Sequence, residues 1–106
     1  MKTRAELLFR QKLTLKSGLL CEVVVWIISE SREYPEGIKY RMVLVEPVGG
    51  KVLVLFDNHH PKGPHLHLEN GDERSYNFVS ISKLMDDFLD LALNLEKRHE
   101  NNENKD

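Results

Sequence analysis

Four of the chain's five histidines fall within nine residues: His59, His60, His65 and His67, with Lys62 among them and Asp57 just before. His65-Leu66-His67-Leu68 alternates and reads as a short strand. On such a strand the two imidazoles share a face, roughly 7 Å apart, and the two leucines point to the core. This is the densest chemistry in the chain, and it suits two jobs. Imidazole titrates near neutrality, so one ring can accept a proton while the other donates one. With Lys62 or Arg41 to offset an anionic transition state, the pair suffices for metal-free cleavage of RNA, whose 2′-hydroxyl is the internal nucleophile. The second job is metal binding, by two same-face histidines and the Asp57 carboxylate. A third reading is plain polar surface, since histidines are common in loops and at sheet edges.

Lys39 and Arg41 flank Tyr40 at alternate positions. They are either a solvated strand face or a phosphate-contacting pair beside an aromatic ring. Ser and Thr are scattered without a nucleophile motif, and no glycine-rich phosphate loop is present. Neither a serine hydrolase nor a nucleotide-binding protein is supported.

The elements that must position these groups are mostly strands. Residues 7–15 alternate loosely, with Leu7, Phe9, Gln11, Leu13 and Leu15 on one face, which predicts a half-buried strand. Lys16-Ser17-Gly18 turns the chain into residues 19–29, whose run Val23-Val24-Val25-Trp26-Ile27-Ile28 suits a strand near the sheet centre, apolar on both faces. A third strand over residues 38–46 puts Lys39, Arg41, Val43 and Val45 on one face and Tyr40, Met42 and Leu44 on the other. Pro47-Val48-Gly49-Gly50 closes a hairpin onto residues 51–56, its glycines supplying the left-handed positions of a tight turn. Residues 57–64 are too polar and proline-rich for strand or helix. The histidine strand ends at Asn70-Gly71, and a short extended piece near residues 74–78 is expected to pair across that turn. Ser80 or Ser82 then caps a helix whose apolar stripe is Ile81, Leu84, Met85, Phe88, Ala92 and Leu95. The expected fold is α+β: an antiparallel sheet of about five strands with one long C-terminal helix packed on one face. Residues 1–97 form the single domain, and 98–106 read as a disordered polar tail.

With 106 residues, 41% hydrophobic and 30% charged, the chain has the balance of one ordinary globular domain. A disordered chain and a two-domain cofactor enzyme are excluded. The formal charge of −2 excludes a globally basic nucleic-acid binder, but the first 56 residues hold nine Lys/Arg against six Asp/Glu. An anionic ligand would therefore meet a local patch. The lone Cys21 leaves no internal disulfide and no cysteine-based zinc site. No apolar stretch approaches a membrane span, and Arg10 and Lys12 interrupt any signal-peptide core, so the expectation is a cytoplasmic protein without membrane contact.

Lys39-Tyr40-Arg41, Phe56-Asp57-Asn58, Lys62-Gly63, His65-x-His67, Tyr76-x-Phe78 and Leu84-x-x-Asp87-Phe88-Leu89 together resemble the TumE family, small toxins of prokaryotic toxin–antitoxin pairs. The resemblance runs from Glu6-Leu7-Leu8 to the end of the helix, and its middle block is the specific part. Three positions depart from the family pattern: Pro61 for a usual glycine, Pro64 for an acidic residue, and Leu66 for an arginine. They imply a stiffer loop and one cationic contact fewer. The resemblance implies a growth inhibitor neutralised by an antitoxin encoded beside it, often a helix-turn-helix protein. It leaves the molecular target open.

The functional expectation joins both lines: the toxin of a type II pair, acting as a metal-independent ribonuclease without cofactor. His65 and His67 are the acid–base pair, Lys62 and Arg41 contact phosphate, and Asp57 orients one ring. Lys39 adds a nucleic-acid contact, and Asn58 serves loop geometry or a substrate hydrogen bond. The rival is a non-catalytic module that inhibits by occupying RNA or a regulatory protein. Leu89 and Leu93 lie off the helix's main stripe, flanked by Asp86 and Asp90. Leaving them in water forgoes roughly 1.5–3 kcal/mol each. They are expected to meet the antitoxin or a second copy, unless residues 1–8 fold over them.

Overall fold

The computed structural model describes residues 5–103. Six strands come first: β1 (Ala5–Thr14), β2 (Leu20–Ile28), β3 (Ile38–Val45), β4 (Val52–Asp57), β5 (His65–Leu68) and β6 (Glu73–Ser75). One helix follows, α1 (Ile81–Glu103). The strands form a single antiparallel sheet in the order β1-β2-β3-β4-β5-β6, so every strand pairs with its sequence neighbours. The α+β expectation holds, with one strand more because the three-residue β6 pairs across the Asn70-Gly71 turn. At the β3–β4 turn Gly49 and Gly50 both take positive φ, 85° and 68°, where a side chain would be strained.

One sheet face carries the core. Cys21, Val23 and Val25 of β2, Tyr40, Met42 and Leu44 of β3, and Val54 and Phe56 of β4 are buried beneath Leu84, Phe88 and Ala92 of α1. Phe56 sits edge-on to both Phe88 and Tyr76, with centroids 5.8 and 5.3 Å away. The period-2 and period-3.6 stripes read from the sequence are therefore the two surfaces that meet. Ser80 caps the helix: its Oγ accepts from the Lys83 amide at 3.0 Å, satisfying a first-turn donor. Farther along, Glu96 Oε2 accepts from the amide and hydroxyl of Ser17, pinning α1 to the β1–β2 turn. The helix continues to Glu103, through much of the stretch expected as a polar tail.

β1 differs from expectation. All ten of its residues are exposed, including Leu7, Leu8, Phe9 and Leu13. It is an edge strand beyond the reach of α1, so its inward pleat has no covering layer. A register shift between Leu7 and Phe9 also sets Leu7 opposite Trp26 while Phe9 opposes Val25, which breaks the shared face. Residues 5–8 lie in this edge strand and do not cover Leu89 or Leu93, which are 39% and 50% exposed. Residues 1–4, the rest of the segment expected over the helix, lie outside the described residues. β2 is second from the edge instead of central, and its Trp26 faces an uncovered side.

Candidate functional site

The face opposite α1 carries the polar side chains, and strand register arranges them in two rows. One row runs Arg10, Val24, Arg41, Asp57, His65, Ser75 across the six strands, and the next runs Lys12, Glu22, Val43, Leu55, His67, Glu73. Two strand spacings, about 10 Å, separate the backbones of Arg41 and His65.

His65 is the anchored member of the imidazole pair. Its side chain is 8% exposed, its Nε2 lies 3.2 Å from Asp57 Oδ1, and its Nδ1 lies 2.7 Å from the Gly63 carbonyl. A carbonyl only accepts, so Nδ1 carries a proton and Nε2 faces the carboxylate. The same Asp57 oxygen also accepts from the His59 amide at 3.1 Å. His67 is one-third exposed, with Nδ1 3.9 Å from Glu73 Oε2. The rings meet edge to face at 4.9 Å between centroids, closer than ideal strand geometry suggests.

Lys62 is not a free cation. Its ammonium sits 2.5 Å from Glu73 Oε1, and that hydrogen bond holds the Glu73 carboxyl below its ordinary pKa. Glu73 was not singled out from the sequence, yet the Asn70-Gly71 turn carries the signal. Counting outward from it pairs Glu73 with His67. Lys62, His65, Glu73, Arg74 and Ser75 line a shallow depression of about 350 Å³. Among the described residues, His65, His67 and Glu73 are a donor set for a metal ion, with one ligand atom from each all within 4.8 Å of one another.

Arg41 projects from the same face and lies 3.7 Å from Glu22, which Arg10 and Lys12 also approach, at 3.6 and 3.7 Å. Three cations around one carboxylate leave a positive patch. Arg10 and Lys12 are the cations sequence reading left out of this group. Lys39, half-buried, lines a neighbouring hollow with Arg10, Trp26 and Arg41. His59 and His60 are exposed in the loop, where their amides bond Asp57 and the Tyr34 hydroxyl.

Asn58 does not reach this surface. It is 1% exposed; Oδ1 accepts from the Tyr40 amide at 2.9 Å and Nδ2 donates to the Ile38 carbonyl at 2.8 Å. Of its two expected roles, loop geometry is the one its contacts fill, because the amide is spent on the β3 backbone. On the helix side Asp87 accepts from Lys83 Nζ and the Tyr76 hydroxyl, both lowering its pKa. Burial, then the Asp87 bond, raises the Tyr76 phenol far above its usual range.

A six-strand antiparallel meander capped by one helix, with an imidazole pair beside a cation cluster on its open face, defines a small α+β fold. The chain belongs to the TumE toxin family, whose model, described as Toxin TumE, matches residues 2–99. No curated protein and no solved structure matches it. A toxin family implies a cognate antitoxin as partner in general terms. Among the described residues no helix is long and apolar enough to cross a membrane.

Proposed function

We propose that this protein is the growth-inhibiting toxin of a type II pair and acts in the cytoplasm as a metal-independent ribonuclease. The observation that carries the reading is the row Arg41, Asp57, His65, which sets a guanidinium and a doubly contacted imidazole on one uncovered face. RNA lies across that face with phosphates on Arg41 and Lys39, and the ammonium of Lys62 lies beside the imidazoles. His67, the more accessible ring, takes the proton of the 2′-hydroxyl as its oxygen attacks phosphorus. The bond to the 5′-oxygen breaks, and His65 supplies that oxygen's proton after leaving its Asp57 or Gly63 contact. The products are a 2′,3′-cyclic phosphate and a free 5′-hydroxyl.

The double engagement of His65 favours a second reading: a module that binds RNA or a regulatory protein through Lys39 and Arg41 and inhibits by occupancy. A labelled RNA pool incubated with substoichiometric protein and excess chelator separates them. Multiple turnovers support the enzyme, and stoichiometric binding without cleavage supports the module. In either case Leu89 and Leu93 form the apolar strip for the cognate antitoxin, a helix-turn-helix protein, or for a second copy.

A further inference from the structure

The geometry points to a zinc-type metal site formed by His65, His67 and Glu73 whose occupation blocks the acid–base pair. Nitrogen, nitrogen and carboxylate oxygen are the donors that a borderline ion such as Zn²⁺ accepts. With bonds of about 2.0–2.1 Å, a tetrahedral ion places its ligands about 3.4 Å apart. The present spread of up to 4.8 Å closes with small side-chain rotations. His67 Nδ1 and Glu73 Oε2 are already 3.9 Å apart.

The surroundings are those of a supported site. Lys62 holds the other Glu73 oxygen, Oε1, and leaves Oε2 turned toward His67. Whichever nitrogen of His65 takes the ion, the other keeps an acceptor, either Asp57 or the Gly63 carbonyl. A carboxylate or carbonyl behind a ligating histidine fixes the ring and raises its basicity. β5 and β6 are hydrogen-bonded neighbours, so all three ligands ride on one short hairpin.

Occupation consumes the lone pair that His67 needs as base and pins His65, which must leave its contacts to give up its proton. The blocking role therefore rests on the ribonuclease reading, whereas the site itself does not. Calorimetric titration of the full chain with zinc chloride tests the site. The expected result is one ion per chain, with His67→Ala and Glu73→Gln each weakening binding by more than about tenfold. A His59→Ala/His60→Ala double variant, lacking the exposed loop imidazoles, binds as tightly as the parent. No binding by the parent, or equal binding by the parent and Glu73→Gln, overturns the site. Cleavage assays with added zinc test the blocking role: inhibition reversed by chelator supports it, and cleavage that requires zinc overturns it together with the metal-free mechanism. If the chain cleaves no RNA, the ribonuclease reading fails by itself and the calorimetry still decides the site.

Discussion

Replacing Asn58 by alanine strikes the fold beside the site without touching its chemistry. The side chain amide bridges the Tyr40 N–H and the Ile38 C=O, at 2.9 and 2.8 Å, in a place that is 1% exposed. Alanine leaves one donor and one acceptor of β3 unpaired where water has little access. Each orphaned group costs about 1–3 kcal/mol, so the expected loss is about 2–6 kcal/mol. A domain of this size holds a total of only about 5–15 kcal/mol. At about 4–8 °C per kcal/mol, a loss of 3 kcal/mol lowers Tm by roughly 12–24 °C. Asn58→Asp keeps the acceptor for Tyr40 but turns a carboxylate oxygen on the Ile38 carbonyl, and is expected to be at least as damaging. Urea denaturation followed by circular dichroism measures both, and an unchanged slope would show that the unfolded state is unaffected. RNA affinity measured well below the new Tm should equal that of the parent. A loss under about 0.5 kcal/mol, the range of ordinary surface changes, would refute the clamp.

His67→Ala should abolish growth arrest and RNA turnover with little change in melting, whereas His65→Ala should abolish both and also melt earlier; full toxicity of both variants refutes the acid–base mechanism. Arg41→Ala with Lys39→Ala should weaken RNA binding and flatten its salt dependence by a slope of about 1–2, checked by filter binding across salt concentrations. Leu89→Lys with Leu93→Lys should leave melting within about 0.5 kcal/mol and lose self-association or antitoxin binding; a domain that unfolds shows the strip to be core. The phenol of Tyr76 is held neutral by burial and by Asp87, so its folded pKa is raised and its contribution is complete below the unfolded value of 10.0. Stability should fall as pH rises beyond that value, and Tyr76→Phe should show a shallower alkaline decline in melting scans.

What was legible in the sequence followed from contrast between faces. Tyr40, Met42 and Leu44 against Lys39 and Arg41 differ enough in polarity that period 2 could be read directly, and the α1 stripe was equally plain. Asp57 as partner of His65 was readable because the two lie at the facing ends of neighbouring strands. β1 was not, because alternation shows which residues share a pleat but not whether a helix covers it, and one extra residue near Leu8 shifts the phase. Asn58 looked like loop surface because its burial depends on backbone groups of β3, 18 and 20 residues away. Glu73 required register across a turn, and Arg10 and Lys12 required β1 to be seen beside β2 and Glu22.

The strictly sequential strand order sets when the chain is vulnerable. All pairings join neighbours, so the sheet can assemble by hairpins as it leaves the ribosome, with little loop closure to delay it. Its apolar face, however, waits for α1, which is made after all six strands. At about 5–20 residues per second, the stretch from Phe56 to Ala92 takes roughly 2–7 s to synthesise. For that interval each nascent molecule shows the cell Met42, Leu44, Val54 and Phe56 without the helix over them. A stop codon ahead of Leu84 would make that exposure permanent, yielding a sheet with its histidines in place and no core to keep it apart from its neighbours.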